Sequence, residues 1–186
     1  MKLFTMEHSK IAYRADFALY GIAVMVLAAF IIIAEPHGQW LESLVLLGIG
    51  LVSWTLLEYV LHRFVMHGLQ PFSRWHAEHH QRPRALISTP TVLSMMLITT
   101  LIFLPAFMLS DNLWSACALT LGIVIGYLSF AIVHHATHHW STNSAWLKRR
   151  KHWHSLHHRS NKQPSCFGVT STFWDYVFGS TRKQRK

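Results

Sequence analysis

The sequence predicts an all-α integral membrane protein with four transmembrane helices and a cytoplasmic helical cap that holds a histidine-rich dimetal centre. Three observations carry this expectation. First, 51% of the 186 residues are hydrophobic, yet the formal net charge is +9. That combination conflicts for a soluble protein and agrees for a small membrane protein. Second, four stretches are long and apolar enough to span, since roughly 20 residues cross a bilayer: Phe17–Ala34, Leu41–Leu61, Pro90–Leu109 and Leu113–Val133. Third, ten of the fifteen histidines fall into four tight groups, each just past the end of an apolar stretch. The length suggests a single domain covering residues 1–186.

Each element follows in turn. The first apolar stretch is long for the core of a signal peptide and lacks a small-x-small cleavage site, so it reads as a retained helix. The links Glu35–Trp40 and Ser110–Asn112 are very short, which pairs the helices into two hairpins. Gly48/Gly50 and Gly122/Gly126 offer small surfaces for close helix packing. All 17 Lys and Arg lie in the N-terminal tail, in the 62–89 segment or after residue 147, and the two short links hold none. By the positive-inside rule both termini and the central polar segment face the cytoplasm, and the ten grouped histidines lie on that side. This topology accounts for the basic charge, so no nucleic-acid partner is expected. The run Lys148-Arg149-Arg150-Lys151 reads as an anchor of this kind, or as a docking patch for an acidic electron carrier or anionic headgroups. The two cysteines, Cys117 and Cys166, suggest neither a disulfide framework nor a thiolate metal site.

The histidine groups are His62/His67, His76/His79/His80, His134/His138 and His154/His157/His158. Imidazole is a good ligand for iron, zinc and copper. Ten ligands are too many for one ion and suit two ions sharing a cage. Within each H-x2-H-H run the spacing i, i+3, i+4 puts the rings on one helical face. His62 and His67 are five apart and diverge on a regular helix, so either they serve different ions or the helix ends between them. His135 and His139 repeat the spacing of His134 and His138, which leaves that register open. His8, His37 and His152 stand apart. The candidate carboxylates near the site are Glu58, Glu78 and Asp175. Metal-bound histidines usually give their other N–H to a carboxylate or carbonyl. Glu58, one turn before His62, and Asp175 in Trp174-Asp175-Tyr176 are the candidates to hold ligand rings from behind. A cage of neutral ligands leaves the ions' charge uncompensated, which favours O2 activation at an unreactive C–H bond. A zinc pair would instead activate water for hydrolysis, and spacing does not separate the two.

The runs Trp54-Thr-Leu-Leu-Glu58-Tyr-Val-Leu-His62-Arg-Phe-Val-Met-His67 and His76-Ala-Glu-His79-His80 resemble the fatty acid hydroxylase superfamily, which includes sterol desaturases. So does the C-terminal part, His154-Ser-Leu-His157-His158, then Cys166-Phe-Gly168-Val-Thr-Ser-Thr and Trp174-Asp175-Tyr176-Val-Phe-Gly179. The resemblance runs from about Leu41 to Gly179 and is nearest the fatty acid 2-hydroxylase type. It implies His134/His138 over His135/His139, and two iron ions held by the ten histidines, with zinc a possible occupant of purified protein. It also implies O2, a lipid substrate taken from the bilayer, and hydroxylation of an acyl chain beside its carbonyl. No cytochrome b5 domain is fused to this chain, so electrons are expected from a separate carrier of ferredoxin or cytochrome b5 type. The expected location is a bacterial inner membrane, with the endoplasmic reticulum as the alternative. The rivals are a sterol or carotenoid hydroxylase or desaturase with the same centre, and a non-redox membrane metal-binding or transport protein. The last would need ionisable residues deep inside the spans, whereas only Glu42 and Glu58 stand within them, each near a helix end. Trp54, Tyr59, Phe64 and Met66 are candidates to line the lipid's path.

Overall fold

The computed structural model describes residues 7–36, 38–159 and 164–181. Among these the regular secondary structure is helical, apart from one isolated bridge between Glu7 and Ile87. The helices are α1 (Lys10–Ala34), α2 (Trp40–Val60), α3 (Phe72–Gln81), α4 (Thr91–Ile98), α5 (Leu104–Ser110), α6 (Leu113–His139), α7 (Ala145–His158) and α8 (Phe173–Val177). Two π-helical segments continue α2 and α4, at Leu61–Met66 and Thr99–Phe103. Four helical runs are long and apolar enough to cross a membrane: Lys10–Ala34, Trp40–Met66, Thr91–Ser110 and Leu113–His139. The chain is a multi-pass membrane protein. Two boundaries differ from the sequence reading. α1 starts at Lys10 because Ser9 caps it, accepting from Ala12 N–H at 3.2 Å. α6 runs six residues beyond Val133, to His139, so its last turns carry histidines instead of apolar side chains.

The chain divides into two compact units. The first comprises Met1–Trp54 and Leu86–Leu128. Its core is Ile31, Cys117, Ala118 and Leu121, packed against Leu27, Leu47 and Phe103. Large apolar side chains such as Met25, Ile32, Val52, Leu101 and Met108 point outward instead, as they do where the solvent is lipid. The glycines act as the spacing suggests, with one exception. A Cβ at Gly50 would stand 2.3 Å from Leu119 O, and one at Gly122 2.2 Å from Leu47 O, so α2 and α6 touch backbone to backbone there. Gly126 admits the Trp54 ring in the same way, whereas Gly48 faces open space. Tyr20 on α1 bonds Ser94 on α4, oxygen to oxygen at 2.6 Å. The Ser88 and Thr91 hydroxyls donate to Asp16. The turn between α5 and α6 is closed by Asp111 in the left-handed region (φ 48°). Asn112 Oδ1 caps α6 by accepting from Trp114 N–H at 2.9 Å.

The second unit comprises Thr55–Ala85 and Ser129–Lys186. It contains the C-terminal ends of α2 and α6, all of α3, α7 and α8, and the segment between α7 and α8. Its buried residues include an unusual number of polar side chains: Glu58, His62, His79, Thr137, Arg150, His154, His157, Thr172 and Asp175. Buried polar groups need partners; Glu58, His62, Thr137, Arg150, His157 and Asp175 find them among backbone groups of this unit, whereas His79 Nδ1 and His154 Nδ1 have none among the described residues.

Candidate metal centre

The ten grouped histidines meet in the second unit as two clusters of five. One holds His62, His67, His76, His80 and His157, and the other His79, His134, His138, His154 and His158. Within each cluster one nitrogen per ring lies within 4.8 Å of all the others. His80 and His158, one from each cluster, stack with ring centroids 4.2 Å apart. His134 and His138, not His135 and His139, join the centre. His135 and His139 stack on each other at 4.4 Å outside both clusters. His152 is exposed, His8 bonds Ser88 O in the first unit at 3.2 Å, and His37 lies outside the described residues.

Helical geometry explains how four sequence groups become two clusters. At about 100° per residue, positions i and i+4 lie about 40° apart, while i+3 lies about 60° to the other side. His76 and His80 on α3 therefore enter one cluster and His79 the other; on α7, His154 and His158 enter one and His157 the other. The H-x2-H-H runs do share one helical face, but each serves both clusters. His62 and His67 serve the same one. The segment Leu61–Met66 is π-helical, and its i→i+5 bonding stacks residues five apart on one side. The helix ends at Met66, with His67 as its cap.

In the first cluster Nε2 atoms converge. His62 to His76, His76 to His80 and His80 to His157 are each 3.0 Å, and His67 to His157 is 3.1 Å. The second repeats this, with His79 to His134 at 3.1 Å, His138 to His154 at 2.7 Å and His154 to His158 at 3.0 Å. These contacts are not ordinary hydrogen bonds throughout. The His157 Nδ1–H donates to Ser165 O at 2.8 Å and the His62 Nδ1–H to Phe167 O at 2.5 Å. A carbonyl only accepts, so the far nitrogen, Nε2, of each neutral ring presents a lone pair to the cluster. Burial keeps the rings neutral. It pushes His76, His154 and His157 well below the usual imidazole range, helped by neighbouring imidazoles. The same cause brings His67 down to about 4 and His79 and His158 to about 3. Converging lone pairs repel unless a cation lies among them. Nitrogen ligands about 2.1 Å from one ion, at right angles, are about 3.0 Å from each other. The donor set therefore fits a metal ion in each cluster, and imidazole suits iron, zinc or copper.

Glu58 and Asp175 act one layer further out than the sequence suggests. Among the described residues neither carboxylate bonds an imidazole. Glu58, buried at 3% exposure, accepts from Val169 N–H at 2.6 Å, Thr170 N–H at 2.9 Å and the Thr170 hydroxyl. Asp175, fully buried, accepts from Phe167 N–H and Gly168 N–H at 2.8 Å each and from the Ser180 hydroxyl at 2.7 Å. They hold the Ser165–Thr170 loop, and the carbonyls of that loop hold His62 and His157. A carbonyl fills the place behind the ring that a carboxylate was expected to take. Gly168 is required here, because a Cβ would stand 1.8 Å from Ser171 O. Glu78 is exposed.

Sequence reasoning missed several contributors. Arg150, read as part of a basic surface run, is buried at 7% exposure and donates to Thr170 O at 3.3 Å. Burial and then Arg149 push its pKa down, while Glu58 and Asp175 oppose that shift. Phe167 sets its ring edge-on to His62, His67 and His157 at 5.6–5.8 Å between centroids. Tyr59, expected to line a lipid path, is 1% exposed, stacks on Phe178 and bonds the Ser180 hydroxyl at 2.9 Å. Phe64 is 54% exposed. Backbone acceptors leave no residue-type signature. The one available signal was the isolated Gly168 between Phe167 and the β-branched pair Val169-Thr170.

Fold and site together define a multi-pass helical membrane protein with two adjoining polyhistidine clusters. The chain belongs to the fatty acid hydroxylase family, whose model matches residues 45–180 and so contains all ten histidines. It is 34% identical over 147 residues to a dihydroceramide fatty acyl 2-hydroxylase of Arabidopsis thaliana, covering 70% of this chain and 58% of that protein. It is 31% identical to a ceramide very long chain fatty acid hydroxylase of Schizosaccharomyces pombe, covering 71% of this chain and 41% of the relative. The chain thus spans about half the length of these relatives. A solved structure of full-length scs7p, in which only the hydroxylase domain is visible, superposes with a TM-score of 0.78 at 27% identity, covering 92% of this chain and 67% of that one.

Proposed function

We propose that this protein is an O2-dependent hydroxylase of membrane lipid acyl chains, with two iron ions held by the ten clustered histidines. The observation that carries the reading is the pair of five-imidazole clusters, in each of which one nitrogen per ring converges on a common point. The names of the relatives, fatty acyl 2-hydroxylase among them, support a fatty acid or acyl-lipid substrate oxidised beside its carbonyl. Bound iron supplies O2 activation. One oxygen atom enters the C–H bond, and the other leaves as water with two protons and two electrons from a separate carrier of ferredoxin or cytochrome b5 type.

The chain's own residues prepare the site. His62 and His157 are aimed by carbonyls of the Ser165–Thr170 loop, and Glu58, Asp175 and Arg150 hold that loop. Phe167 packs an apolar edge beside three of the rings. The distribution of basic residues supports placing the site and both termini at the cytoplasmic face of the membrane.

The test is mass spectrometry of lipids from cells expressing the protein with a competent reductase under labelled O2. A lipid that gains one labelled oxygen with the intact protein, and not with His157→Ala, is the expected result. No labelled product from any lipid class, with electron delivery verified, would overturn the reading.

A further inference from the structure

The two clusters are built alike in ligand number but not in support. In the first, two of the five rings are fixed from behind by carbonyls, His62 by Phe167 O and His157 by Ser165 O. The carbonyl-bearing loop is itself held by five hydrogen bonds to two buried carboxylates, three to Glu58 and two to Asp175. In the second, His79 Nδ1 and His154 Nδ1 are buried and have no hydrogen-bond partner among the described residues. Both rings offer Nε2 to the cluster, so the proton sits on a buried Nδ1 with no acceptor.

We infer that the two metal positions are unequal. The His62/His67/His76/His80/His157 cluster binds its ion more tightly and fills first, and the His79/His134/His138/His154/His158 cluster is the exchangeable position. The inference rests on the reading that the ten histidines hold two ions. An Nδ1–H···O=C bond makes the opposite nitrogen a better donor and fixes the ring before the ion arrives, and outer partners of this kind alter metal affinity about 10–100-fold. In the second cluster the His79 and His154 rings lack that preparation among the described residues. Binding polarises their N–H groups further, with nothing to accept them. Glu58 and Asp175 are thereby positioning residues for one ion and not for the other.

The experiment is titration of the full metal-free protein in detergent with Co2+ and Zn2+, in competition with a chromophoric chelator, with bound metal counted after gel filtration. Two ions per chain should bind in two classes, about 10-fold or more apart. His154→Ala should remove the weaker class and leave one tight ion. Glu58→Gln should weaken the tight class about 10–100-fold and leave the weaker class unchanged; Asp175→Asn serves where Glu58→Gln does not give monodisperse protein. Two equivalent ions, loss of the tight ion in His154→Ala, or one ion that requires both His154 and His157 would each overturn the inference while leaving a metal centre in place. Failure of the unaltered protein to bind metal would overturn the proposed function itself.

Discussion

His76 and His79 are three residues apart on α3 and belong to different clusters: His76 Nε2 lies 3.0 Å from that of His62, and His79 Nε2 lies 3.1 Å from that of His134. α7 divides its histidines the same way. Neither cluster is therefore the property of one helix. His79→Ala and His157→Ala each strip one ligand from a different cluster, and both are expected to reduce hydroxylation at least 100-fold. Both should still insert in the membrane, because α3 and α7 are not among the apolar spans. Lipid product analysis on purified membranes with matched protein levels checks this.

Asp175→Ala leaves Phe167 N–H, Gly168 N–H and the Ser180 hydroxyl without their acceptor in a fully buried place. Hydrogen bonds to a charged group contribute about 1.5–3 kcal/mol each. The expected cost is about 3 kcal/mol or more, read as a lowered Tm of the purified protein in detergent. Asp175→Asn, which keeps one acceptor oxygen, should lie between the two.

Gly50→Leu and Gly122→Leu are expected to disrupt packing in the first unit, since even a Cβ meets backbone at 2.2–2.3 Å. Overpacking of this kind costs about 1–3 kcal/mol. Gly48→Leu faces open space and should leave the Tm unchanged, which makes it the internal control.

Low pH should destabilise the metal-free protein. His67 is held down at about 4 and His79 and His158 at about 3 in the folded chain, against 6.5 when unfolded. Between those values the unfolded state binds more protons, so stability is complete above about 6.5 and falls as pH drops toward 4 and 3. Thermal unfolding at pH 7.5 and pH 5 is the measurement. An equal Tm at both would contradict neutral, buried rings.

The clusters were legible in the sequence because imidazoles on helices have few other uses in such numbers, and the spans because lipid demands length and apolarity together. The division into clusters was not legible. It depends on a 100° step that sends His79 and His157 away from their neighbours, and on which helices come to face one another. The placement of Glu58 and Asp175 was half legible: a buried carboxylate must find donors, but nothing in the chain's letters said that these donors are the backbone of residues 167–170. Arg150 was misread for the same reason. Three of its neighbours in the run are basic, and only one helical face of that run turns inward.

The π-helical segment Leu61–Met66 sets a phase. Upstream, α2 presents Glu58 and Tyr59 to the Ser165–Ser180 region; downstream, His67 reaches His157. Removing one residue between His62 and His67 would give an ordinary α-turn with both rings still on one side. The wide turn absorbs the extra residue, so His67 keeps the side of the helix that His62 holds while lying one residue further along the chain. One continuous helix thus addresses the loop behind the rings and the nitrogens in front of them.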